Sequence, residues 1–459
     1  MKKTLSLLLS VLPLFVASQS LSPDVLSRIR SAASSTAADR ALGNALAGTS
    51  INQLARTADN PATYDTHFSN SVPSQGIADQ KSSGRCWLFT GLNVMRASAI
   101  KHFSLGQFFF SPSYVFFYDQ LEKSNLFLQA IIDNAAKPMD DRTVEWLFKN
   151  PLSDGGTFCG VQDLVTKYGL VPAEVMPERY NANNTSRMSN ILSLKLREWG
   201  LELREMAKTK RPGDLQNRKI EMLATVYHIL TLCLGEPPQQ FTWTRRKADG
   251  TPMETKQYTP QSFYQEYVGW DLMNNYVMLM NDPSRPYYKT YTIAYDQHVY
   301  DGHRWTFLNL PMEDIKPIAI ASIKDSTMMY FSCDVGKQYD SETGVLSLSN
   351  YDYETLFGTS FPMNKADRIR TFASASSHAM TLMAVDLATD GKPIKWKVEN
   401  TWGASSGKAG HLIMTDDWFD AYMFRLVVER RFVPEATLAL LNQTPVLLPA
   451  WDPLFAGEE

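Results

Sequence analysis

Cysteine is scarce in this chain: Cys86, Cys159, Cys233 and Cys333 are the only four among 459 residues. No Cys-x-x-Cys occurs, so nothing in the sequence predicts a structural metal, and no cofactor is expected. A disulfide framework is not expected either, because one cysteine kept as a thiol leaves three that cannot all pair. A basic excess is also missing. Lys and Arg number 45 against 48 Asp and Glu, a net charge of −3, which gives no support for nucleic acid or anionic membrane as the main partner. There is no internal repeat, no low-complexity tract and, past the first twenty residues, no apolar run long enough to span a membrane. What remains is ordinary soluble composition, 44% hydrophobic and 20% charged, long enough for one large elaborated domain.

The first twenty residues stand apart. Lys2 and Lys3 precede the apolar run Leu5–Val16, interrupted only by Ser6, Ser10 and Pro13, and Ala17, Ser18 and Ser20 follow. That pattern predicts a signal peptide over 1–20, hence an exported protein, periplasmic or secreted, with no membrane attachment after cleavage.

The rest, 21–459, reads as helical first and strand-rich later, an α+β arrangement. Helical spacing occurs weakly at 42–54, through 111–150 and at 161–168. It is strong at Ile191–Ala207 and Leu215–Leu234. From Phe241 the texture changes. Thr242-Trp243-Thr244 and Lys256-Gln257-Tyr258 flank a Gly250-Thr251-Pro252 turn, which predicts a hairpin. Short strands are predicted at 287–295, 317–323, 328–334 and 379–385. A further strand over 394–399 carries Asn400 at its end, and a helix is predicted from Thr415 to about Arg425.

Cys86 lies in Gln80-Lys81-Ser82-Ser83-Gly84-Arg85-Cys86-Trp87, with Leu88, Leu92 and Met95 recurring at helical spacing behind it. Gly84 suits a tight turn, so Cys86 falls in the first turn of a helix, where unpaired N–H groups and the dipole favour an anion such as a thiolate. Alone, this equally describes a small buried hydrophobe. Two later residues decide between the readings: His378 in Ser-Ser-His-Ala-Met and Asn400 in Glu-Asn-Thr-Trp-Gly. Cysteine, histidine, asparagine is the chain order of the papain-type triad. In that reading Cys86 is the nucleophile, His378 the acid–base and Asn400 its orienter. Trp402 shields their bond, and the Gln80 amide with the Cys86 N–H forms the oxyanion hole. His102 and His228 read as buried, satisfied histidines, and His67, His298, His303 and His411 receive no role.

The Gln80–Trp87 segment resembles the nucleophile motif of the bleomycin hydrolase / aminopeptidase C family of papain-like cysteine peptidases. The likeness recurs at Ser153-Asp154-Gly155-Gly156, Lys167–Pro172, Gly235-Glu236-Pro237-Pro238, Asp334–Lys337, Glu399–Gly403 and Leu448–Pro453. It implies a papain-like fold with large helical and hairpin insertions at about 111–290. These fill the 378 − 86 = 292 residues between Cys86 and His378, where papain enzymes use roughly 130–150. It implies cleavage of peptide substrates from their amino end through a Cys86 thioester, and self-association into a homohexamer. Gly155, Gly156 and Trp402 are expected on the substrate side. The tail 445–459 is expected in the cleft, with the Glu459 carboxylate meeting the substrate's amine. The alternatives are an endopeptidase or transpeptidase with an open cleft, and a non-catalytic ring-shaped binding protein. The export signal and the acidic Glu458-Glu459 end depart from the family's usual pattern.

Overall fold

The computed structural model describes residues 20–33, 35–60, 62 and 65–455. Most of the expected signal segment, and Glu459 at the end of the tail, lie outside them. Among the described residues the architecture is α+β. A twelve-stranded mixed sheet forms one body, with a helical body built against it. The middle of the sheet runs Tyr276–Met280, Met423–Glu429, Met329–Cys333, His378–Leu387, Pro393–Glu399, His411–Thr415, and all of these neighbours are antiparallel. Period-two alternation is muted in the central strands because both faces are covered: every residue of Met329–Cys333 is buried.

Two apolar clusters form the core. One joins the helical body through Trp87, Phe116, Phe158, Leu192 and Leu230 to Tyr330 of the sheet and to Trp305, just before the strand Thr306–Asn309. The other lies on the sheet around Met380, Trp396, Leu412 and Trp418, closed by the helix Met312–Lys324. The helix Cys86–Phe103 runs between the two bodies and packs against the strand His378–Leu387, so the two halves of the expected triad approach through their supporting elements.

The predicted long helices are present as Pro112–Asp133, Phe158–Tyr168, Ser186–Met206 and Pro212–Leu234, and the hairpin as Phe241–Arg246 with Pro252–Tyr258. Three expectations are corrected. Residues 317–323 are not a strand but part of the helix Met312–Lys324. Its buried Ile315, Ile318, Ala319, Ser322 and Ile323 fall on one helical face, and acidic Glu313 and Asp314 occupy its first turn. A seven-residue apolar run cannot by itself distinguish strand from helix. The helix expected up to Arg425 stops at Tyr422, where Met423–Glu429 enters the sheet. His102 and His228 are exposed on the outer faces of their helices, whereas His298 is buried.

Candidate active site

Cys86 is the first residue of its helix, so the positive end of the helix dipole bears directly on its thiol. None of the four cysteines is in a disulfide. Gly84 lies in the bend that leads into the helix, as expected, but without entering the left-handed region. Its lack of a side chain matters because a Cβ would sit 2.3 Å from Asp154 Oδ1, and its N–H donates to Asp154 Oδ2 at 2.7 Å. The unusual backbone is at Lys81, with φ at 54°, immediately after Gln80.

Cys86, Gln80, His378, Gly155 and Gly156 line one cavity of about 250 Å³, together with Ser376 and Ser377. Asn400 lies behind His378: its Oδ1 is 2.8 Å from His378 Nε2 and also accepts the Thr401 N–H at 2.8 Å. That backbone group can only donate, so it fixes the amide's orientation. His378 must then carry its proton on Nε2, which leaves Nδ1 for other partners. Trp402 stacks on the His378 ring, centroids 4.7 Å apart, and does not line the cavity. Burial pushes the His378 imidazolium down to about 4, with the Asn400 bond acting in the opposite direction.

Gln80 is held from the far end of the chain. Its N–H donates to the Thr401 carbonyl at 2.8 Å, and its Oε1 accepts from Thr401 Oγ1. Its Nε2 donates to the Ser83 carbonyl at 2.6 Å, leaving one amide hydrogen. If that hydrogen meets the developing oxyanion, Gln80→Ala is expected to lower kcat by about 10²–10³ with little change in KM. An unchanged kcat in steady-state assays would remove Gln80 from that role.

A family model described as the Peptidase C1-like family matches residues 20–455. The chain belongs to the Peptidase C1-like family. Human bleomycin hydrolase is 41% identical over 404 residues, covering 85% of this chain and 89% of that protein. Aminopeptidase C of Lactobacillus delbrueckii subsp. lactis is 38% identical over 419 residues, covering 90% and 93%. The crystal structure of PepW from Lactobacillus rhamnosis HN001 superposes with a TM-score of 0.91 at 35% identity, covering 95% of this chain and 99% of that one. The papain-like cysteine peptidase fold follows from that membership.

Within this Peptidase C1-like chain the described part of the tail approaches the cleft. Asp452 pairs with Arg285 at 2.9 Å, Trp451 lies under the Arg142 guanidinium, and the Leu454 carbonyl accepts the Ser376 N–H at 3.4 Å. Phe455 helps to line a second chamber, of about 660 Å³, that shares Gly155 and Gly156 with the first. Sequence reasoning missed Asp119, Lys123 and His298 beneath those glycines, and Ser376 and Ser377 beside His378. Only the serines carried a signal, by adjoining the His378 motif. Among the described residues no group of three or more His, Cys, Asp or Glu is arranged to hold a metal.

Proposed function

We propose that Cys86, His378, Asn400 and Gln80 carry out acyl transfer in the 250 Å³ cavity, and that the tail confines the reaction to the amino end of a peptide. The chain is a cysteine-type aminopeptidase of the papain-like class. The observation that carries the residue assignment is the oriented His378–Asn400 pair, 2.8 Å apart, in one cavity with a cysteine at a helix N-terminus.

In the proposed reaction the Cys86 thiolate attacks the first peptide carbonyl. The C–S bond forms as the carbonyl π electrons move to oxygen, which Gln80 and the Cys86 N–H hold. His378 gives its proton to the leaving amine as the C–N bond breaks, and a thioester remains. Water then attacks, His378 takes its proton, the C–S bond breaks and the thiolate returns. An imidazolium in so buried a place needs a facing negative charge, which the thiolate supplies. Gly155 and Gly156 accept extended main chain alongside.

Two further parts of the proposal concern context. Self-association into a hexamer is supported by apolar residues left exposed on the helices Ser186–Met206 and Pro212–Leu234, among them Leu194, Leu201, Ile220 and Leu232. Export rests on the Lys2-Lys3 start and the apolar run after it.

The test is hydrolysis of an aminoacyl amide with a free amine beside its N-acetylated twin, under reducing conditions. The free-amine substrate is expected to be cleaved and the blocked one left intact. Cleavage of both at similar rates would mean an open cleft and an endopeptidase.

A further inference from the structure

Asp119 and Lys123 sit four residues apart on the helix Pro112–Asp133 and both point inward, against the rule that charged groups face water. Asp119 is fully buried. Its Oδ1 lies 2.6 Å from His298 Nδ1, and its Oδ2 lies 3.0 Å from Lys123 Nζ. On the other side of the ring His298 Nε2 accepts the Thr157 N–H at 3.3 Å. A backbone N–H can only donate, so Nε2 is bare, the proton is on Nδ1, and His298 is neutral. Burial and the Lys123 ammonium push His298 the same way, below its ordinary value.

The cluster grips the loop that carries the paired glycines. Lys123 Nζ donates to the carbonyls of Ser153 and Gly155, and Gln120 Nε2 also reaches the Ser153 carbonyl, at 3.0 Å. Trp87, the neighbour of Cys86, packs on the His298 ring at 4.7 Å and donates from Nε1 to the Asp154 carbonyl at 2.8 Å. A Cβ on Gly156 would lie 2.2 Å from His298 Cε1 and 2.7 Å from Trp87. The carbonyls of Ser153, Asp154 and Gly155 and the Thr157 N–H are therefore all drawn inward. Within the loop 153–157, Gly156 is the residue whose N–H and carbonyl both have no hydrogen-bond partner among the described residues.

We infer that Asp119, Lys123 and His298 form a buried positioning unit that holds Gly156 in register with Cys86, and so sets the affinity for peptide main chain in the cleft without taking part in the chemistry. This rests on the reading of the cleft given above. Apolar residues of similar volume would pack as well and avoid the desolvation cost of the ions. An apolar side chain in place of Lys123 could hold neither carbonyl, and one in place of His298 could not bridge the Asp119 carboxylate to the Thr157 N–H.

The test uses the full chain and three readouts: kcat, KM for a free-amine aminoacyl amide, and the rate at which iodoacetamide alkylates Cys86. That reagent is too small to need the glycine loop. Lys123→Met is expected to raise KM by about tenfold or more, the size of a lost hydrogen bond to a charged group. Its kcat and alkylation rate are expected to stay within about twofold of the parent. Lys123→Arg should restore most of the affinity. His298→Gln, which can donate to Asp119 and accept from Thr157, should stay near the parent, whereas His298→Leu should behave like Lys123→Met. The inference falls if KM is unchanged in Lys123→Met. It falls equally if kcat and alkylation drop together while KM holds, or if Lys123→Arg is no better than Lys123→Met. If His298→Leu fails to fold, the two Lys123 variants decide. Failure of the peptidase assignment itself is separable, since it would appear as activity retained in Cys86→Ala.

Discussion

Cys86→Ala is expected to abolish peptide hydrolysis, by about a millionfold on the scale set by removing the nucleophile of a triad. The same variant is expected to change a second observable. With the thiolate gone, no carboxylate among the described residues pairs with His378, because the Asp154 carboxylate at the cavity wall is held by the Gly84 N–H and the Thr185 hydroxyl. Burial then acts on the ring without a counter-charge, and it should titrate well below its ordinary value. In the parent enzyme the thiolate should hold the imidazolium to a higher pH. The sign for stability follows. In the variant the folded state binds the His378 proton more weakly than the unfolded chain does, so its contribution is complete above about 6.5 and is lost as pH falls through the lowered folded-state value. A histidine NMR titration of parent and variant checks this. A His378 that titrates identically in both would mean that thiol and imidazole are not coupled, and would sink the ion-pair mechanism even if activity is lost.

Glu399→Ala is expected to cost about 3–5 kcal/mol of stability, the usual result of stripping one partner from a buried ion pair. Arg96, on the helix that begins at Cys86, meets Glu399 at 2.7 Å, and the two side chains are 3% and 0% exposed. Arg96 also donates to the carbonyls of Gln75 and Gly76, and Ser74 Oγ donates to the other Glu399 oxygen. Without Glu399 the guanidinium stays buried, and burial already pulls its pKa down. The pair ties the helix of the nucleophile to the residue before Asn400, so the variant should lose activity as well as stability. The control is Arg96→Met with Glu399→Met, which leaves no orphan charge and should recover much of the loss. Urea unfolding of the single and double variants measures it. A single variant within 1 kcal/mol of the parent, a limit far below the cost of about 3 kcal/mol, would show that the pair contributes little.

These two cases differ in how far the sequence announced them. Cys86 was legible because a polar, glycine-containing approach leads straight into helical spacing, and Asn400 because the alternation Ile394, Trp396, Val398 ends at it. His378 opens an apolar strand, a local pattern that survives in the fold. Arg96 and Glu399 gave no signal. They are 303 positions apart, and each looks in its own window like a solvated charge on a helix or strand face. Asp119 and His298, 179 positions apart, were invisible for the same reason. Local periodicity reports which face of an element is buried, not which buried charge will find a counter-charge from another part of the chain. The 317–323 misreading has the opposite cause. The window was too narrow to include Glu313 and Asp314, whose place in the first turn marks the helix.

The threading of Gln80 onto Thr401 has a consequence for biosynthesis. On the assignment proposed above, Cys86 leaves the ribosome 378 − 86 = 292 residues ahead of His378, and the strand that carries His378 has no partner Asn400 until 22 residues later still. Beyond its local bonds to Ser83, Gln80 gains its backbone and Oε1 partners only when Thr401 arrives, 321 positions along. On that assignment a nascent chain carries Cys86 with neither the proposed acid–base nor a fastened oxyanion donor in place. The enzyme cannot digest itself or its neighbours on the ribosome until more than four-fifths of the chain has emerged.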